Sequence, residues 1–485
     1  MKQFLLLSLA LFTLYQPCVI SAAVQEREFP TIHLVMFDDQ KPTDEELVEE
    51  ALSKITMERL GVRVDIDTMN SMEYSSEYTL FLSSNPDIDL IAMINGADVM
   101  ANLVSMDLLL PLEELVQEHG PSIQDALGNA LQTGFYRQHL YGIPSIRQFG
   151  NLYGIVLLRE EASQCGIDSS DITSFEDLDE VFARVHAAMP TLTILSPYNR
   201  SWGLANYMTF VDSLGDDSSG VLLNGGLSDL TVVNYFETEE YFNALKKIRE
   251  WYCLGYIDPN VLLLQDSGPT LMNRGESFSC FNLIMLENDQ KNPESSRCLI
   301  PLSQPLATTN SSQRLLWGVP STCRYPQKTV ELLNLMYSDP EVVNLLQFGI
   351  EGTHYTILED GTMLHEQYTT GESGYYRPYA QAGNLELLLT AKSLGTDFPQ
   401  RLQKLKSETR VSRAYGFVFD KTPVESELSA IETVLNTYRI PLELGCVDPE
   451  TELPNMLREL KEAGIDKVIR EKQRQLNLWA TSIEP

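Results

Sequence analysis

Basic residues are scarce in this 485-residue chain: 35 Lys and Arg stand against 68 Asp and Glu, giving a formal net charge of −33. Nucleic-acid binding draws most of its affinity from cations on phosphate, so the deficit excludes a general DNA- or RNA-binding role. An anionic membrane surface would repel the chain for the same reason. Cysteine is also sparse, at seven, and no two form a Cys-x-x-Cys pair, which removes support for zinc-ribbon and thioredoxin chemistry. The six histidines (His33, His119, His139, His186, His354 and His365) are scattered, so neither a metal nor a cofactor is expected. His354, beside Glu351 and Tyr355, reads as a hydrogen-bonded structural histidine. The chain has no His-Glu-x-x-His, no Gly-x-Ser-x-Gly, no Walker loop and no Gly-x-Gly-x-x-Gly after a strand, so no catalytic residue is assigned. With 68 acids, a carboxylate pair suited to glycoside hydrolysis would arise by abundance alone and is uninformative.

What is present begins with an apolar run from Phe4 to Tyr15 after Lys2, followed by Ser21-Ala22-Ala23. This pattern reads as a secretory signal over residues 1–23, and no later stretch reaches the roughly 18 apolar residues needed to span a bilayer. Tyr15-Gln16-Pro17 before Cys18 lacks the small residues of a lipid-acceptor site. The expectation is therefore an exported protein, extracellular or associated with the cell envelope, cleaved near Ala23 and not anchored by lipid. Six cysteines remain after cleavage; they permit 15 disulfide connectivities, and a set of buried thiols is the equal alternative. The hydrophobic fraction of 43% is that of a folded globular protein, and the length suits two or three domains.

Along the chain, TIHLVMF at 31–37 is apolar on both faces and ends at Asp38-Asp39, as a central parallel strand does at a ligand-facing edge. Thr43 to Glu46 has the capping-box pattern, and Leu47, Val48, Ala51, Leu52 and Ile55 follow at helical spacing up to Gly61. A strand at 62–66, a helix at 77–82 and a strand at 88–93 complete a β-α-β-α-β series, which implies a parallel sheet covered by helices. Ligands of such sheets bind beyond the carboxyl ends of the strands, placing Phe37, Asp38 and Asn95 on one candidate rim. A second α/β unit starts near residue 150, with a strand at 152–158, helices at 175–189 and 238–254 and a buried strand at 278–285. Residues 290–312 read as a polar connector. The final third is mostly helical, at 330–337, 340–348, 425–438 and 454–479 with a break at Gly464.

The ordered motifs NPDIDLIAMINGADVMANLV (85–104), LLPLEEL (109–115), YGIP (141–144), NLYGIVLLRE (151–160) and LMNRGESFSCFNLIM (271–285) resemble the extracellular solute-binding proteins of the maltose-binding type, family 1, which serve ABC importers. The segments at 332–355, 415–438 and 453–479 resemble the LipO-like branch, which carries a C-terminal helical extension. The similarity spans nearly the whole chain after the signal. It implies an α/β, periplasmic-binding-protein-like fold: two discontinuous lobes, a hinge and a helical extension over 400–485. Residues 27–145 and 258–310 are expected to form the N-terminal lobe, and 146–257 with 311–485 the C-terminal lobe. The implied partners are a small-molecule carbohydrate and the membrane subunits of an ABC permease, with the carrier itself a monomer.

A neutral sugar has apolar C–H faces and a dense ring of hydroxyls, so its site needs aromatic platforms beside carboxylate, amide and guanidinium groups. Tyr198 and Trp202, in SPYNRSW after a strand end, align in order with the family's aromatic cleft segment. Trp317, in LLWGVP, resembles the family's inter-lobe aromatic position. Glu287 follows a strand and offers acceptors, and Arg147 lies just beyond YGIP. Phe37, Asn95, Arg147, Tyr198, Trp202, Glu287 and Trp317 are therefore the expected ligand-binding residues. Within the same fold a peptide or another polar solute is the alternative ligand, and a membrane sensor the alternative partner. A secreted glycoside-processing enzyme is the alternative from a different class.

Overall fold

The computed structural model describes residues 29–70, 74–146, 148–199, 203–215, 219–286, 296–369, 371, 373–378 and 381–483. The signal at 1–23 lies outside them, as do Arg147, Trp202 and Glu287.

The elements that carry the architecture are, in chain order, β1 (Thr31–Asp38), α1 (Glu45–Arg59), β2 (Arg63–Asn70), α2 (Tyr74–Ser84), β3 (Leu90–Ile94), α3 (Gly96–Ser105), β4 (Ile143–Pro144), β5 (Tyr153–Leu158), α4 (Leu178–Ala188), β6 (Thr193–Ser196), α5 (Glu239–Cys253), β7 (Ser277–Leu283), β8 (Arg297–Pro301), β9 (Leu306–Ala307), β10 (Leu315–Gly318), α6 (Pro326–Ser338), α7 (Pro340–Phe348), α8 (Phe398–Glu408), β11 (Arg410–Val411), α9 (Glu425–Glu443), α10 (Pro449–Glu462) and α11 (Ile465–Ile483).

One sheet has the order β2-β1-β3-β10-β4, with β1 parallel to β2 and β3, and β10 antiparallel to β3 and β4. The other has the order β8-β5-β7-β6, with β5 antiparallel to both neighbours and β6 parallel to β7. Each sheet has its own core. The first gathers Ile32 to Phe37, Leu90 to Met93, Leu315 to Trp317 and residues of α6 and α7; the second gathers Ile155 to Leu158, Phe278, Phe281, Trp251 and the inner faces of α9, α10 and α11. At about 1.5–3 kcal/mol per fully buried large apolar side chain, either core is ample for an independent lobe.

These pairings correct the expected lobe boundaries. Residues 277–283 and 297–301 flank β5 in the second sheet, so 258–310 belongs to the second lobe and not the first. Conversely β10, α6 and α7 belong to the first lobe. The expected connector at 290–312 contains β8 and β9. The capping box at α1 does not form: the Thr43 hydroxyl donates to Gly374 O at 3.4 Å, and α1 starts after Asp44 without a side-chain cap. Asp44 Oδ2 instead lies 3.2 Å from His354 Nε2, while His354 Nδ1 accepts the Ile350 N–H at 2.8 Å, a structural role for this buried histidine. All six cysteines of the described chain are free thiols.

Three segments cross between lobes: the stretch from β4 to β5, the stretch from β8 through β9 to β10, and α8 leading into β11. β9 pairs in parallel with β11, and Asn151 bridges to Leu306, so the crossings are hydrogen-bonded to one another. Three short, laterally tied crossings form a hinge, because rotation concentrates in the few residues between the cores.

Candidate inter-lobe ligand site

The strand ends that face the hinge supply the candidate site. In the first lobe β3 ends at Ile94, and Asn95 takes a left-handed conformation (φ 50°) before α3. Asn tolerates that conformation better than most residues. Gly96 follows because a Cβ there would stand 2.6 Å from Leu316 Cγ and 2.8 Å from Gln313 O, so α3 starts in contact with β10. The Asn95 N–H donates to Arg314 O at 3.0 Å, bringing two exposed polar side chains to adjacent positions of the rim. Asp38 ends β1, and burial raises its carboxyl pKa against the opposing pull of the Asp39 N–H and Arg377.

In the second lobe β6 and β7 both run toward the hinge. Gly268 donates its N–H to Pro197 O and Tyr198 O, both at 3.1 Å, fixing the turn after β6, and leaves Tyr198 36% exposed at the rim. Tyr153, at the start of β5, meets Tyr207 edge-on with ring centroids 5.7 Å apart. Tyr207 in turn contacts Phe281 at 5.9 Å, and Phe281 contacts Phe175 at 5.5 Å. Burial pushes the Tyr207 phenol well above its ordinary range, with Tyr153 and Tyr198 adding to the rise and Arg314 of the opposite lobe opposing it.

Two recesses adjoin the hinge. The larger, about 360 Å³, is lined by residues such as Leu127, Ala130, Ile146, Phe149 and Tyr415, and its charges Lys406 and Glu386 are paired with each other. The second, about 330 Å³, lies in the second lobe and is lined by Phe175, Tyr207, Phe210, Asn224, Gln304 and Arg410, with Ser303 between them. Both volumes fall in the range of small-ligand sites. The second recess combines aromatic rings with amide, hydroxyl and guanidinium groups, so it is the candidate ligand site, and the larger is an apolar hinge recess.

Of the expected site residues, Asn95 and Tyr198 stand on the rims. Phe37 and Trp317 are fully buried in the first-lobe core. Both strands are covered on both faces, so neither ring is presented to the cleft. Phe37 is further held by Gln381, which accepts its N–H at 2.9 Å and donates to its carbonyl at 2.7 Å. Arg147, Trp202 and Glu287 lie outside the described residues. Sequence reasoning missed Tyr153, Tyr207, Arg314 and Arg410. The aromatic density at Tyr207 and Phe210, just past SPYNRSW, was the signal available for one of them. Among the described residues no group of three or more His, Cys, Asp or Glu side chains is arranged to hold a metal.

Two lobes, three tied crossings and a polar aromatic recess at the strand ends define the solute-binding-protein class of fold. Comparison with known proteins agrees over most of the chain. A carbohydrate ABC transporter substrate-binding protein of Streptococcus pneumoniae serotype 4 (strain ATCC BAA-334 / TIGR4) is 24% identical over 470 residues, covering 93% of this chain and 91% of the relative. The solved N-glycan transport solute binding protein NgtS of Streptococcus pneumoniae superposes with a TM-score of 0.82 at 20% identity, covering 94% of this chain and all of that one. The Streptococcus pneumoniae ABC-transporter substrate binding protein FusA, in complex with kestose, superposes with a TM-score of 0.64 at 15% identity over 93% of this chain and all of that one. Residues 413–481 match a family described as a domain of unknown function, DUF3502. The resemblance to the extracellular solute-binding proteins and the two-lobed fold it implied are thus borne out. No helix of the described chain is long and apolar enough to cross a membrane.

Proposed function

We propose that this protein is an extracytoplasmic solute-binding protein that captures an oligosaccharide between its lobes and delivers it to the membrane subunits of an ABC importer. The observation that carries the reading is the recess at the second-lobe strand ends, where Phe175, Tyr207 and Phe210 stand with Asn224, Gln304 and Arg410 beside a hinge of tied crossings. Aromatic rings offer apolar faces to sugar C–H groups, while amides and guanidinium groups serve hydroxyls. The names of the similar proteins support it: one is a carbohydrate ABC transporter substrate-binding protein, and NgtS is solved in complex with Man1GlcNAc and Man5GlcNAc. Trp202, Arg147 and Glu287 remain part of the proposed site on the strength of the sequence. The protein acts as a monomeric carrier, not a catalyst: ligand bound first to one lobe gains contacts with the other and shifts the population toward a closed form. Thermal shift across a glycan panel tests this. Saturable stabilisation by oligosaccharides is expected, and stabilisation by peptides with none by glycans would contradict it.

A further inference from the structure

The charge at the candidate recess runs against the charge of the chain. In a protein with 68 acids and 35 basic residues, none of the described residues lining the second-lobe recess is a carboxylate, and one, Arg410, is a cation. Two other recesses differ. The hinge recess includes Glu386, and a recess between α3 and the 417–425 segment includes Asp98 and Glu425. Arg410 is held by its backbone, which donates to Pro305 O at 3.0 Å and pairs with Leu306 across β9 and β11. Its guanidinium is exposed, and no described carboxylate lies within 4.0 Å of it.

Vicinal hydroxyls of a neutral sugar are well served by carboxylate acceptors, which take two donated hydrogens at once. A recess that offers an exposed guanidinium and no carboxylate among its described lining residues suits a ligand rich in acceptors. The planar guanidinium fork matches a carboxylate or sulfate bidentately. We infer that the recess binds the acidic unit of an anionic oligosaccharide, a uronate carboxylate or a sulfate ester, gripped by Arg410. This rests on the carbohydrate reading of the cleft and narrows it to acidic glycans. The acidic surface elsewhere repels such ligands, so selection falls to the local guanidinium of Arg410.

Titration calorimetry of the mature chain tests the inference with three probes: a uronic-acid oligosaccharide, its carboxyl-reduced neutral counterpart and a sulfated counterpart. One or both acidic probes should bind about tenfold or more tighter than the neutral one, with an advantage that shrinks as salt rises. Preference between the acidic probes assigns the carboxylate or the sulfate. Arg410→Gln should remove most of the advantage while leaving the melting temperature unchanged. Neutral glycans binding as well as or better than acidic ones would overturn the inference and leave the carbohydrate reading standing. Binding to no glycan would overturn both. Acidic preference that survives Arg410→Gln would overturn the assignment to this arginine.

Discussion

Arg137 of the first lobe grips Asp420 of the C-terminal extension, with Nε 3.2 Å from Oδ2 and Nη2 3.3 Å from Oδ1. The Tyr136 hydroxyl donates to the same carboxylate at 3.1 Å, and Lys421 reaches Asp98 of α3 at 2.6 Å. α11 braces the turn from behind: Gln475 accepts the Asp420 N–H and donates to its carbonyl, both at 2.9 Å. Burial alone would raise the Asp420 carboxyl, but the bonds from Arg137 and Thr422 outweigh it and hold it below the usual range. The helical extension therefore packs in the second-lobe core and also holds the first lobe.

Asp420→Asn should loosen this contact. The pair is partly exposed, so stability should fall by only about 0.2–1 kcal/mol. The sharper readout is the distance distribution between labels on the two lobes. It should broaden in the variant, and an unchanged distribution would show that the contact does not restrain the lobes.

Glu443 gives a pH signature. It is fully buried at the end of α9, and Tyr241 donates to its Oε1 at 3.2 Å. Gly203 is required beside it, since a Cβ there would stand 1.7 Å from Oε2. Burial raises the carboxyl to about 7, against the pull of Arg439 and the Tyr241 bond. The folded state keeps the proton that the unfolded state loses near pH 4.5, so this group's contribution to stability falls as pH rises from about 4.5 to 7 and is flat above. Glu443→Gln removes that fall. The variant should be more stable than the parent at pH 8, by on the order of 1–3 kcal/mol, and the gap should close near pH 4. Chemical denaturation at the two pH values checks it.

A buried ion pair locks the base of the first lobe. Arg377 is fully buried, with its guanidinium against Glu45, its Nη1 donating to Thr68 Oγ1 at 2.8 Å and its Nε to the Tyr375 hydroxyl at 3.3 Å. Arg377→Met should cost about 3 kcal/mol by removing the buried cation from Glu45, which then keeps the exposed Lys41 at 3.0 Å, and adding Glu45→Gln should recover part of the loss. Denaturation of the single and double variants checks both.

The rim and core assignments separate in a pair of substitutions. Tyr198→Ala should weaken oligosaccharide binding by about 1–3 kcal/mol with little change in stability, because the ring is partly exposed. Trp317→Ala should cost about 3–5 kcal/mol of stability, because the ring is fully buried. Calorimetry and melting curves on both variants decide it.

What the sequence made legible was local. β1, β3, α5 and the paired α6 and α7 follow from apolar period and caps such as Thr238, whose hydroxyl accepts the Tyr241 N–H at 3.2 Å. The lobe boundaries were not legible, because they depend on which distant strands pair: Cys280 with Val156, and Leu316 with Met93. No local pattern records those partners. The site was half legible for a related reason. A strand-end aromatic such as Tyr198 reaches the rim, while Phe37 and Trp317 look the same in sequence but lie under helices. Arg410 carries no motif at all, and its place in the recess comes from the pairing of β9 with β11.

The central claim is capture of an oligosaccharide between two lobes. Small-angle scattering of the mature chain, titrated with the tightest glycan from the thermal-shift panel, tests it most directly. The account predicts saturable one-to-one binding with a decrease in the radius of gyration as the lobes close. Saturating glycan that leaves the radius unchanged, or the absence of any binding glycan, would contradict it.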